Sequence, residues 1–169
     1  MRPALLALLL FASPAFGQDA TDGASQQLAE NASEASELAE ESRSIAERWA
    51  EDPGQIFDAS EVDLAELLWI ARPVVVFANS PRDPAFVEQL GEIVAETERL
   101  VERDVIVIVD TDVENPSELR NRLRPRGFML VLLGKDGQVK LRKPLPWTVR
   151  EISRSIDKMP LRLQETRDG

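Results

Sequence analysis

Asn79, Ser80, Arg82 and Asp83 crowd into one short polar loop, Asn79-Ser80-Pro81-Arg82-Asp83, between an apolar run and Pro84. Free N–H groups at a helix start, with an arginine beside them, suit an anion or a carboxylate. Asp83 followed by proline is also a helix cap, which would spend those donors internally. Ser80 would attack a substrate only beside a base, and the chain has neither histidine nor cysteine. Thiol exchange and thiol peroxidation need a thiolate, so both are excluded. Ser–His and Cys–His catalysis are excluded with them.

A second group is acidic. Asp110, Asp112 and Glu114 alternate through Asp110-Thr111-Asp112-Val113-Glu114, as in the opening of a calcium loop. Asn115 stands where such a loop needs glycine, and Asn121 where it needs glutamate. An acidic loop after a strand is the better reading, and the residues call for no metal or other cofactor.

A third group is basic. Residues 116–150 contain Arg120, Arg122, Arg124, Arg126, Lys135, Lys140, Arg142, Lys143 and Arg150, opposed only by Glu118 and Asp136. Arg120, Arg122, Arg124, Arg126, Lys140, Arg142 and Lys143 are expected to form a basic surface. It would be a solvated face or a contact for an anion, a membrane surface or an acidic partner. Nucleic acid is disfavoured, because the whole chain carries −10 and no aromatics interleave with the cations.

The elements that must position these groups follow from periodicity. Ser60 to Leu68 is expected to be a short helix. Val74 to Ala78 is β-branched and aromatic, which suits a central strand buried on both faces. Asp83-Pro84 opens a helix expected to run to about Arg103, with Phe86, Val87, Leu90, Ile93, Val94, Leu100 and Val101 on its apolar face. Val105 to Val109 is a second buried strand. A short helix, Ser117 to Arg124, ends at Pro125 and Gly127. Phe128 to Leu133 is a third strand, and Asp136-Gly137 marks a tight hairpin. Val139 to Lys143 alternates apolar and basic, as a charged edge strand does. Thr148 caps a last helix that Pro160 closes. Trp147, just before that helix, would line a pocket or cover the end of the core.

The order β-α-β-α-β-β-α gives an α/β fold: a thioredoxin-like mixed four-stranded sheet flanked by helices. Three segments carry a closer resemblance. Residues 72–78, residues 131–142, and residues 156–162 with Gln164 and Glu165 resemble the bacterial domain-of-unknown-function 4174 family across about Phe57 to Arg167. That family is similar to the thioredoxin-like module of some animal matrix proteins with sushi repeats. The resemblance implies the fold and an extracytoplasmic setting, and it brings no catalytic residues. The slot of the thioredoxin Cys-x-x-Cys pair reads Ala78-Asn79-Ser80-Pro81-Arg82-Asp83-Pro84. The slot of the cis-proline falls near Phe128 and Met129, with Pro125 too early.

The first 17 residues read as a leader. Arg2 precedes the apolar run Ala4 to Ala12, Ser13-Pro14 breaks it, and Ala15-Phe16-Gly17 offers the small residues of a cleavage site. Nine apolar residues are too few to span a bilayer, which takes about 20. A periplasmic or secreted protein is therefore expected. The abundance of arginine over lysine, 16 to 4, suits a GC-rich bacterial genome.

Residues 18–56 read as an acidic extension, helical or partly disordered, and residues 57–167 as the domain. Residues 18–68 hold 14 acids and only Arg43 and Arg48, whereas the remainder is almost balanced. Within the extension, residues 24–51 make a thin-striped helix that docks by Ile45 and Trp49, and Asp52-Pro53-Gly54 ends it.

Three function classes fit these residues. The first is an exported non-catalytic module that binds another exported protein or a small anionic ligand. The second is a carboxylate and arginine enzyme with a divalent metal at Asp110, Asp112 and Glu114. The third is an envelope-associated structural protein working through the acidic helix. All three share the leader, which predicts a mature amino terminus at Gln18. Amino-terminal sequencing of the protein from a fractionated bacterial host checks it, and an intact Met1 in the cytoplasm would remove the exported setting.

Overall fold

The computed structural model describes residues 43–168. The leader, and the acidic helix as far as residue 42, lie outside the described residues. What is described of that helix is α1, Ile45–Glu51. Ser44 Oγ accepts from the Glu47 N–H, and the Glu47 carboxylate accepts from the Ser44 N–H, so each satisfies a donor the helix start would leave open. Ile45 and Trp49 are buried as expected, in one cluster with Phe57, Leu67, Phe77, Leu119 and Leu123.

The sheet contains the four expected strands and one more. β1 (Ile56–Asp58), β2 (Arg72–Phe77), β3 (Val105–Asp110), β4 (Met129–Leu133) and β5 (Val139–Lys143) lie in the order β1-β3-β2-β4-β5. β1 and β2 run parallel to β3, while β4 runs antiparallel to β2 and to β5. With three residues, β1 is too short to show a period of two, which is why the sequence reads as four strands. Every residue of β2 is buried, as a strand at the middle of a covered sheet must be.

Helices cover both faces. On one side α1 and α4 (Glu118–Leu123) close over Val75, Phe77, Ile106, Ile108, Val131 and Leu133. On the other, α2 (Pro84–Ala95), α3 (Thr97–Val101) and α5 (Val149–Asp157) close over Val74, Val76, Val105, Val107, Leu130 and Leu132. A final helix, α6 (Pro160–Asp168), buries none of its residues. This is the thioredoxin-like arrangement of strands and helices.

Three local expectations change. Residues 64–70 form a succession of tight turns rather than a helix, with N–H groups reaching carbonyls three residues back. Ser60 does not cap them, because its N–H and hydroxyl both go to Asp58 Oδ1, at 2.9 and 2.6 Å. The long helix divides at Glu96, since the Thr97 hydroxyl is shared by the Ile93 and Val94 carbonyls and competes with the backbone ladder. Val87 and Val94 face solvent, and Gln89 takes a buried place. Pro160 does not merely close α5, for it is also the first residue of α6, where a missing N–H costs nothing.

The burial of Trp49 sets a stability expectation. Trp49→Ala should cost about 3–5 kcal/mol, and a fragment starting at residue 53 should be destabilised at least as much. Equal thermal melts for fragments 43–169 and 53–169 would contradict the packing of α1.

Candidate functional site

The carboxyl ends of β2 and β3 are where open α/β sheets commonly bind ligands. Ala78 and Asn79 leave β2 here. Asp83 Oδ1 accepts from the Ala85 N–H at 2.9 Å, so the aspartate does cap α2. Ser80 accepts from the Arg82 N–H through its hydroxyl and from the Asp83 N–H through its carbonyl. Arg82 and Asn79 face solvent, and the Arg82 guanidinium makes no ion pair or hydrogen bond among the described residues. The loop thus offers an exposed cation and an amide, with its carboxylate already engaged.

Beside it lies a closed polar cluster. Asp110 is only 3% exposed. Arg120 donates to Asp110 Oδ1 from Nε (2.9 Å) and Nη2 (2.7 Å), and from Nη2 to the carbonyls of Ala78 and Asp110. The Ser117 hydroxyl donates to Asp110 Oδ2 at 2.6 Å and also accepts from the Arg120 N–H. The guanidinium lies over the Phe77 ring, 5.5 Å from its centre. One arginine thereby fastens the exits of β2 and β3 to the first turn of α4.

This cluster alters two sequence expectations. Asp110 does not join Asp112 and Glu114 at a metal, because its oxygens are spent on Arg120 and Ser117. Among the described residues no three acidic side chains come together as a cation site. Asp112 instead closes its own loop. The Asn115 side chain, then the Asn115 and Glu114 N–H groups, hold its carboxyl below the usual range. Arg120 leaves the expected basic surface, because the charge it neutralises is buried. Arg122, Arg124 and Arg126 do face solvent. Lys140 pairs with Asp136, Arg142 donates to the Leu123 carbonyl, and Lys143 stands 4.1 Å from the centre of the Trp147 ring. Trp147 is held by buried Gln89, whose side-chain amide bonds both its N–H and its carbonyl.

The opposite end of the sheet carries a denser network that sequence reading missed. Arg72, the first residue of β2, is 1% exposed. It donates to the Arg103 carbonyl (2.9 Å), Asp104 Oδ2 (3.3 Å) and Glu165 Oε2 (2.7 Å). Lys135, from the β4–β5 hairpin, bridges the same two acids at 2.8 and 3.2 Å. Arg162 reaches Glu165 and the Glu102 carbonyl. The three sequence segments that carry the family resemblance therefore meet at one place. The available signal was a lone cation at the head of an otherwise apolar strand.

Next to this network Trp69 is two-thirds exposed and adopts a left-handed backbone, with φ of 64°. That is a costly conformation for a bulky residue, and the bond from its N–H to the Lys135 carbonyl (2.8 Å) holds it. A hollow of about 290 Å³ lies beneath, walled by Trp69, Met159, Pro160 and Leu161 and floored by Arg72 and Lys135.

Burial pushes the Glu165 carboxyl up, but hydrogen bonds and charge from Arg72 and Lys135 outweigh it, and the group sits below its ordinary value of 4.5. A depressed folded-state value means that its stabilisation is complete above about 4.5 and is lost as pH falls through the lower folded value. Glu165→Gln should lower the melting temperature by several degrees at pH 7. The deficit should shrink below pH 4, which thermal melts across pH 3–7 would measure. A constant deficit would show that Glu165 acts by packing alone.

Comparison with curated proteins finds no match. Among solved structures, the chain is similar to Plasmodium yoelii Prx1a, which was modified at its N-terminus and forms an artifactual octamer. Identity is 17%, coverage is 63% of this chain and 81% of that one, and the TM-score is 0.45. The family described as a domain of unknown function (DUF4174) matches residues 63–165. That span takes in β2 to β5 and the Arg72–Glu165 contact that joins them to α6, and the chain belongs to this family.

Proposed function

We propose that this protein is an exported, non-catalytic thioredoxin-like module that binds another exported protein or a small anionic ligand. One observation carries the reading. Where a thioredoxin has its reactive pair, the groups able to move protons are already committed. Asp83 caps α2, and Asp110 is closed by Arg120 and Ser117. What faces outward there is Arg82 and Asn79. These are hydrogen-bond donors suited to holding a carboxylate or phosphate, and they provide neither nucleophile nor base. Asn79 and Arg82 are accordingly assigned to binding, with Ser80 and Asp83 holding the loop and the helix start beneath them. The leader at residues 1–17 supplies the exported setting.

The test is capture followed by reconstitution. Tagged chains starting at residues 18 and 43 are crosslinked in a periplasmic extract, and the captured partner is then purified and titrated. Cutting at residue 43 keeps the buried Ile45 and Trp49, which a cut after Asp52 would remove. A stoichiometric partner should bind both chains, and Arg82→Ala should weaken it roughly 10- to 100-fold, the loss of one charge-assisted hydrogen-bonding group. Substrate turnover by the pure protein that Asp83→Asn abolishes would sink the reading.

A further inference from the structure

We propose that the hollow beneath Trp69 is a ligand site for an aromatic carboxylate, the ring lying against the indole and the acid against Arg72 and Lys135. This site is at the opposite end of the sheet from the 79–83 loop and does not depend on what that loop binds.

The walls select a ring. Trp69, Met159, Pro160 and Leu161 line the space, and its volume of about 290 Å³ is at the small end for ligand sites. Trp69 is 67% exposed, so core packing does not account for its left-handed backbone. Backbone strain of that kind at a bulky residue concentrates at ligand clamps and switch regions. The Lys135 carbonyl, which accepts from the Trp69 N–H at 2.8 Å, ties the indole to the residue whose ammonium helps form the floor. An indole anchored over an apolar hollow presents a flat face for stacking.

The floor selects an acid. Arg72, Lys135 and Arg162 share two carboxylates, Asp104 and Glu165, which leaves this network one positive charge in excess. Its donors are in excess too. Both Nη nitrogens of Arg72 are engaged, but its Nε donates no hydrogen bond among the described residues. Arg162 Nε is buried without a partner. Lys135 brings three protons to two acids. Uncompensated charge and unmade hydrogen bonds are costly where water is scarce, and one added carboxylate would reduce both costs. The single carboxylate of the wall, Asp136, does not oppose it, being spent on the Lys140 ammonium (2.6 Å) and the Gln138 N–H (3.1 Å). Gly134 lets that pair lie close, since a Cβ there would fall 2.5 Å from Asp136 Oδ1 and 2.6 Å from Lys140 Cε. Gln164, exposed on α6, adds a neutral amide to the lining.

The probe is phenylacetate, titrated into the isotope-labelled chain starting at Gln18. The readout is the NMR signals of the Trp69 indole N–H and the amides of residues 134–136, which should shift saturably. Acetate lacks the ring and 2-phenylethanol lacks the charge, and each should bind at least about tenfold more weakly. Trp69→Gly should abolish binding while holding or raising the melting temperature, because glycine takes a positive φ freely. An indole that merely covers the fold would lower it. Gln164→Glu should weaken phenylacetate without affecting 2-phenylethanol, and Gln164→Lys should tighten phenylacetate. Arg82→Ala should change none of this, so either site can fail without the other. A Gly-Gly-Gly-Phe peptide with a free carboxylate distinguishes the two sources of this chemistry. Binding tighter than phenylacetate assigns the site to the end of a protein chain, and weaker binding assigns it to a free acid. The proposal would be overturned by no saturable shift, by acetate or 2-phenylethanol binding as well as phenylacetate, by shifts confined to the 79–83 loop, or by unchanged binding to the Trp69→Gly chain.

Discussion

The position of Arg72 constrains the rest of the molecule. A guanidinium 1% exposed at the head of the central strand must find acceptors inside the protein, because an unpaired buried charge costs several kcal/mol. Its acceptors come from the turn between α3 and β3, at Arg103 and Asp104, and from α6, at Glu165. Lys135 draws the hairpin to the same acids. The register of β2 on β3 places Arg72 opposite Val105, immediately after Asp104. One buried cation thus links the sheet centre, the β3 entrance, the hairpin and the C-terminal helix.

The two ends of the sheet are built on the same principle with the order reversed. At the carboxyl end the buried group is a carboxylate, Asp110, and an arginine reaches in to neutralise it. At the amino end the buried group is an arginine, and carboxylates reach in. Each cluster is charge-assisted and built around one group that is itself buried, Asp110 or Arg72. The apolar faces between them come from the alternation of β2, β3 and β4. A thioredoxin-like sheet is held here, at both ends, by charges that are buried and paired.

Much of this was legible in the residues. The buried strands announced themselves as β-branched runs, and Asp83-Pro84, Thr148 and Asp136-Gly137 marked their caps and turn through local hydrogen bonding that sequence encodes directly. Ile45 and Trp49 were legible as docking residues because large apolar side chains in an acidic stretch have few other places to go. The division of the helix at Glu96 was not, since it turns on one threonine hydroxyl choosing carbonyls. Ser60 misled because Asp58, two residues earlier, offers it a nearer acceptor. The Arg72 network was hidden for another reason. Its members lie up to 93 residues apart, and nothing in a charged residue's neighbours reveals a partner that distant. For the candidate site, the loop at 79–83 was visible as a motif, but the capture of Asp110 by Arg120 depended on a fold-level approach.

The two described ends of the chain are fastened by opposite physics. α1 is held by Ile45 and Trp49, sunk among apolar side chains. α6 buries nothing and is held by Glu165 and Arg162. Dissolved salt weakens charge pairing by screening it, and excluded salts such as sulfate strengthen apolar burial. A brine of that kind would therefore tighten one end of the molecule while loosening the other, so that ionic surroundings decide which terminus frays first.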